Sequence, residues 1–109
     1  MKTIICTLFT IIFFIIFAHA QWTQTNGIFG GTTYAVSKNG TYLYVASDQY
    51  LYKSSNNGAS WTDISNGLNA NMVMCIKVSG TDLFVSTIGG GIYKSVNNGN
   101  TWSAANNGI

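Results

Sequence analysis

The sequence predicts an all-β fold built from four-stranded antiparallel units. Three observations carry that expectation. A pattern returns with a period of about 40 residues, each period holds short runs rich in Tyr, Val, Leu, Ile and Thr, and Gly and Asn punctuate the runs. SSNNGASW at 54–61 returns as SVNNGNTW at 95–102, and GTYLYVAS at 40–47 returns as GTDLFVST at 80–87. YLYKS at 50–54 returns as GIYKS at 91–95, and WTDISNGL at 61–68 returns as WSAANNGI at 102–109. WTQTNGI at 22–28 is a third, shorter copy of that last string.

Residues 1–20 stand outside the repeats. Lys2 is a short positive head, Ile4 to Phe17 is an apolar run broken by Thr7 and Thr10, and Ala18-His19-Ala20 is a small-x-small end. This three-part pattern predicts a secretory signal peptide cleaved between Ala20 and Gln21, with the apolar run as its helix. The run is too short for the roughly 20 apolar residues of a spanning helix. The expected compartment is therefore the exterior or the cell surface, and the folded domain is residues 21–109.

The strands follow in order. A lone strand is expected at 21–25. The first unit then supplies 32–37, 41–47, 50–54 and 60–64, and the second supplies 73–79, 82–87, 91–95 and 101–105. Asn-Gly at 26–27, 39–40, 57–58, 66–67, 98–99 and 107–108 marks tight turns, because these residues accept positive φ at low cost. Four short strands per 40 residues is the unit size of a β-propeller blade. The faces agree: Leu43 and Val45 match Leu83 and Val85 on one side, and Tyr44 matches Phe84 on the other. A strand apolar on both sides needs cover above and below, which stacked blades provide. The expected architecture is about two blades plus one extra strand.

Composition excludes several activities. The chain has five Lys, three Asp, one His and no Arg, Glu or Pro. Its single His lies in the leader, so the processed chain cannot build a Ser-His-Asp or Cys-His site or a His/Cys zinc site. No cofactor or metal is expected. Four Lys against three Asp leave no electrostatic footprint for nucleic acid. Cys75, in the apolar run Met72–Ile76, has no processed partner for a disulfide and is expected as a small buried residue.

The paired string resembles a known repeat. Ser54, Asn56, Gly58, Ser60, Trp61 and Ser95, Asn97, Gly99, Thr101, Trp102 are similar to the Asp-box or BNR pattern S-x-D-x-G-x-T-W, with Asn in place of Asp both times. That pattern occurs in sialidases, other glycoside-hydrolase propellers, sortilin-type receptors and photosystem-assembly-factor-like propellers. The NGL/NGI and GGGIYKS elements are similar to exported repeat proteins of Bacteroidetes-type bacteria. The resemblance implies a propeller in which the box joins the third and fourth strands of a blade, away from a catalytic face. Read from the residues themselves, the box is structural at all ten positions: the Asn side chain can hold turn amides, the Gly tolerates positive φ, and the Trp can lock the hairpin to the sheet, so both indoles, at equal spacing after the box, are expected mostly buried.

A sialidase reading fails on the residues. The family holds a substrate carboxylate with Arg and works with Glu and a Tyr nucleophile, and Arg and Glu are absent. Asp48, Asp63 and Asp82 read as solvated turn residues. The sequence therefore predicts a non-catalytic scaffold or interaction segment of a larger exported protein, completed by further blades in the same chain or in other copies. The alternative is a small lectin assembled from two-blade protomers, and a remnant of a glycoside hydrolase comes third. A glycan or protein ligand would meet the loops at 48–50 and 88–91, which differ between the copies. Any of Tyr34, Tyr42, Tyr44, Tyr50, Tyr52 and Tyr93 could serve such a surface, but their strand positions favour packing.

Overall fold

Alternating side chains and Asn-Gly turns give eight antiparallel strands in the computed structural model, which describes residues 20–23, 27–28, 31–48, 50–69 and 72–109. They are β1 (Thr33–Asn39), β2 (Tyr42–Ser47), β3 (Leu51–Ser54), β4 (Thr62–Asp63), β5 (Val73–Ser79), β6 (Asp82–Thr87), β7 (Gly91–Ser95) and β8 (Ser103–Ala104). Each set of four forms one meander sheet, in the orders β1-β2-β3-β4 and β5-β6-β7-β8. No helix occurs among the described residues.

The repeat extends to register. Asn39 opposes Tyr42 as Ser79 opposes Asp82, and Val36, Val45 and Tyr52 form a cross-strand row as Ile76, Val85 and Tyr93 do. Both first strands shift register at the same place, between Thr33 and Ala35 and between Val73 and Cys75. Gly40 and Gly80 close the two first hairpins at φ +58° and +61°, a conformation that costs an L side chain about 1–2 kcal/mol.

The core lies between the sheets. Tyr44, Ala46 and Leu51 of the first sheet and Ile76, Leu83, Val85 and Tyr93 of the second are buried in one cluster, with Ile64 and Val73 at its margins. Because side chains alternate along a strand, Ala35, Tyr42, Tyr44 and Ala46 look toward the second sheet. Val36, Lys38, Leu43 and Val45 look away from it. β5 lies against β1 and β2. The inward sides of β2 and β6 thus pack sheet on sheet, while the outer side of β6 carries Phe84 on an open groove.

Three expectations are corrected. The strand at 21–25 is absent at 21–23, where the chain is exposed and Trp22 is 97% accessible; residues 24 and 25 lie outside the described residues. The matching strands β4 and β8 are only two residues long and exist because β3 and β7 lie beside them. Among the described residues no strand lies beside 21–23. Strands expected at 60–64 and 101–105 shorten for a related reason, since the box turns occupy 60 and 101. Cys75 is exposed, because it sits on the side of β5 turned away from the first sheet, where no further sheet lies among the described residues. The leader helix and Ala18 lie outside the described residues; Ala20 and Gln21 are exposed.

Candidate functional site

The most elaborate local structure is the pair of turns between the third and fourth strands. After β3, Asn57 and Gly58 both take positive φ, 56° and 84°, and Ala59 N–H donates to Asn56 O at 3.2 Å. After β7, Asn98 and Gly99 do the same at 57° and 81°, with Asn100 N–H donating to Asn97 O at 3.2 Å. Two successive left-handed residues are what the type I′ turn demands. Asn57 and Asn98 are the only non-glycine residues at positive φ among those described.

A side-chain frame holds each turn. Ser54 Oγ donates to Asn56 Oδ1 (2.9 Å) and accepts from Asn56 N–H (3.3 Å) and Gly58 N–H (2.8 Å). Asn56 Oδ1 also accepts from Ser60 N–H (2.9 Å), while Asn56 Nδ2 donates to Ser60 Oγ (2.8 Å). Ser95, Asn97, Gly99 and Thr101 repeat this frame, with distances equal to within 0.1 Å. Ser54 and Ser95 are 1% exposed, and a buried hydroxyl is tolerated because its bonding capacity is used. The Asn amide supplies a donor that a carboxylate lacks. The hydroxyl at 60 or 101 accepts that donor here, and it can rotate to donate to an Asp instead.

The second turn also joins the sheets. Trp102 Nε1 donates to Ile64 O at 2.9 Å, and Lys53 Nζ reaches Asn98 O and Asn100 Oδ1, both at 3.2 Å. A Cβ on Gly99 would stand 2.5 Å from Ile64 Cδ1, so glycine there serves close approach as well as backbone conformation. Trp61 and Trp102 are both partly buried. Gly27 lies on the Trp61 ring, 3.5 Å from Cδ1 for a Cβ built on it. The Trp61 Nε1 atom is shut from solvent without an acceptor among the described residues.

Sequence reasoning missed a second repeated clamp. Leu51 N–H donates to Ser65 Oγ (2.8 Å) and Ile92 N–H to Asn106 Oδ1 (2.7 Å), each tying the start of a third strand to the turn after the fourth. The signal was present as SNG and NNG at equal offsets from the tryptophans, but Ser and Asn differ in type while doing the same work.

The acidic residues are dispersed in local contacts. Asp48 accepts from Thr32 N–H (3.1 Å) and Tyr34 OH (2.9 Å), Asp63 accepts from Ser65 N–H and Oγ, and Asp82 pairs with Lys94 at 2.8 Å. The bond to Asp48 raises the Tyr34 phenol above its ordinary pKa, helped by desolvation and the carboxylate's charge. Burial, then the Tyr42 hydroxyl, raises Tyr44; burial, then Asp63 and Tyr50, raises Tyr52. No group of three His, Cys, Asp or Glu gathers as a metal site among the described residues.

Of the tyrosines, Tyr44 and Tyr93 are buried and Tyr50 is exposed at the β2–β3 loop. Its ring is 5.8 Å from that of Tyr52. Ile88, at the corresponding β6–β7 loop, is exposed too. The side of β5–β7 turned away from the first sheet holds an open groove of about 170 Å³ lined by Cys75, Lys77, Phe84, Val85, Ser86 and Ile92. No protein-family model and no curated protein matches the chain.

Proposed function

We propose that residues 21–109 are a run of Asp-box β-propeller blades from an exported protein, non-catalytic and acting as a scaffold or interaction segment. The observation that carries this reading is the same five-bond frame at Ser54–Ser60 and Ser95–Thr101, in sheets of the same order and register. A frame reproduced between the third and fourth strands of two stacked meanders is a device for repeating a sheet. Its polar groups are spent on the turn and the neighbouring sheet. Arg, Glu and a processed His are missing for sialoside chemistry, and scattered Lys cannot replace the planar arginine fork.

One observation favours a second reading, a glycan-binding lectin: Tyr50 and Ile88 stand exposed at equivalent loops, and aromatic faces stack on sugars. One experiment addresses both. The purified chain is presented with chromogenic sialosides and glycosides and with a glycan array. The scaffold reading expects no turnover and no glycan bound. Saturable binding lost in Tyr50→Ala turns the assignment to a lectin, and turnover by pure protein overturns both.

A further inference from the structure

The packing of the second sheet on the first is an interface whose two halves both occur again on the outer sides of the sheets, the first as an open groove and the second part-exposed, with Val36 open and Val45 only 6% exposed. Ala35, Tyr42, Tyr44, Ala46 and Leu51 of the first sheet are met by Ile76, Val78, Leu83, Val85 and Tyr93 of the second. One repeat later, the counterparts of the first group are Cys75, Asp82, Phe84, Ser86 and Ile92, on the outer side of β5–β7, where the open groove lies. One repeat earlier, the counterparts of the second group are Val36, Lys38, Leu43, Val45 and Tyr52, on the outer side of the first sheet. Val36 is 66% exposed there, while its counterpart Ile76 is buried. The polar bridge has its counterparts as well. Lys53 reaches the carbonyl of Asn98; the corresponding lysine is Lys94, held over the Phe84 ring at 5.4 Å and paired with Asp82, and the corresponding carbonyl is that of Asn57.

We propose that the outer side of β5–β8 receives the outer side of β1–β4 of a second copy of this chain, in the register by which the two sheets pack within one chain. The proposal rests on the reading of the two sheets as successive blades. The occupant is a second copy because both complementary surfaces belong to this chain and their mode of contact is already realised in it. The contact is heterologous, one surface against a different one, so it leads to a closed ring or an open array. Apolar groups drive it: Phe84 and Ile92 meet Val36, Leu43 and Tyr52. Lys94 keeps Asp82 and donates a further N–H to the Asn57 carbonyl.

Sedimentation velocity over a wide concentration range tests this with two variants outside the core. Val36→Lys changes an exposed residue. Ser86→Lys places a long cation at the counterpart of Ala46, which is fully buried in the occupied interface. The wild type is expected to associate in multiples of one chain. Each variant is expected to weaken association about a hundredfold or more, because an ammonium shut from water without a partner is strongly disfavoured. An equimolar mixture of the two variants is expected to form a dimer and stop there, since each supplies the surface the other lacks. A wild type that stays monomeric overturns the proposal. So does association untouched by Val36→Lys, which points to a surface paired with itself, or a mixture that forms no dimer. Leu83→Ala at dilution separates this from the underlying reading. A lowered monomer melting temperature upholds the stacking within the chain, and an unchanged one overturns that stacking.

Discussion

Tyr44→Phe should stabilise this protein. The Tyr44 side chain is fully buried between the sheets, its ring 6.3 Å from Tyr42, and its hydroxyl has no hydrogen-bond partner among the described residues. A buried polar group without a partner costs about 1–3 kcal/mol. Removing one oxygen leaves a void of at most one atom, worth about 0.3 kcal/mol at the usual cavity coefficient. The balance is a gain of about 0.7–2.7 kcal/mol, and in a domain of this size each kcal/mol raises the melting temperature by about 4–8 °C. The second unit already carries Phe84 at this position. Calorimetry measures the shift, and urea titration with an unchanged slope confirms that only the native state gained. A second arm uses pH. Burial raises the Tyr44 phenol above its ordinary 10.0, so the native state favours the protonated form. That contribution is complete below pH 10 and is lost as pH rises through the folded value. Tyr44→Phe should therefore also lessen alkaline unfolding. Destabilisation by more than about 1 kcal/mol, the worth of an ordinary hydrogen bond, would refute the reasoning by showing that the hydroxyl is satisfied.

The remaining predictions concern the box and the export signal. Gly99→Ala should cost about 2–4 kcal/mol, adding a collision with Ile64 to the positive-φ penalty. Gly40→Ala, equally left-handed but with nothing within 4 Å, should cost only about 1–2 kcal/mol; equal losses in urea melts would deny the close approach. Trp102→Phe removes the bond to Ile64 O and should cost about 1–2 kcal/mol plus lost packing, read by denaturant midpoint. Asn97→Asp should leave stability at pH 7 within about 0.5 kcal/mol, because Thr101 can turn to donate. The new carboxylate, held by several donors, should titrate below the usual range, so its contribution is present at neutral pH and lost on strong acidification. Asn97→Ala should cost about 1–3 kcal/mol at any pH. Mass analysis of exported material should find a chain starting at Gln21; retention of residues 1–20 in a membrane fraction would contradict cleavage.

The local grammar of the chain was legible residue by residue. Strands at 73–79, 82–87 and 91–95 coincide with β5, β6 and β7, and the glycines of all six Asn-Gly pairs take positive φ. Turn chemistry works over a few residues: the Ser54–Asn56–Gly58–Ser60 frame closes through bonds between residues two to four apart, and a repeated string folds into a repeated frame. Only the tertiary structure decided what layering controls. The segment at 21–23 has the composition of a strand and lies outside a sheet, with no strand beside it among the described residues. Cys75 and Ala35 occupy the same place in their repeats, yet Cys75 is exposed while Ala35 packs on the core. Among the described residues, a neighbouring sheet covers Ala35 and none covers Cys75. Tyr44 and Phe84 diverge for the same reason, one fully buried with an unsatisfied hydroxyl and the other half-exposed on an uncovered groove. Lys53 bridges 45 residues to Asn98, whereas Lys94 folds back on Asp82. Sequence period determines which residues are equivalent. Burial depends on what stacks against them, and that is a property of contacts between repeats which no single repeat encodes.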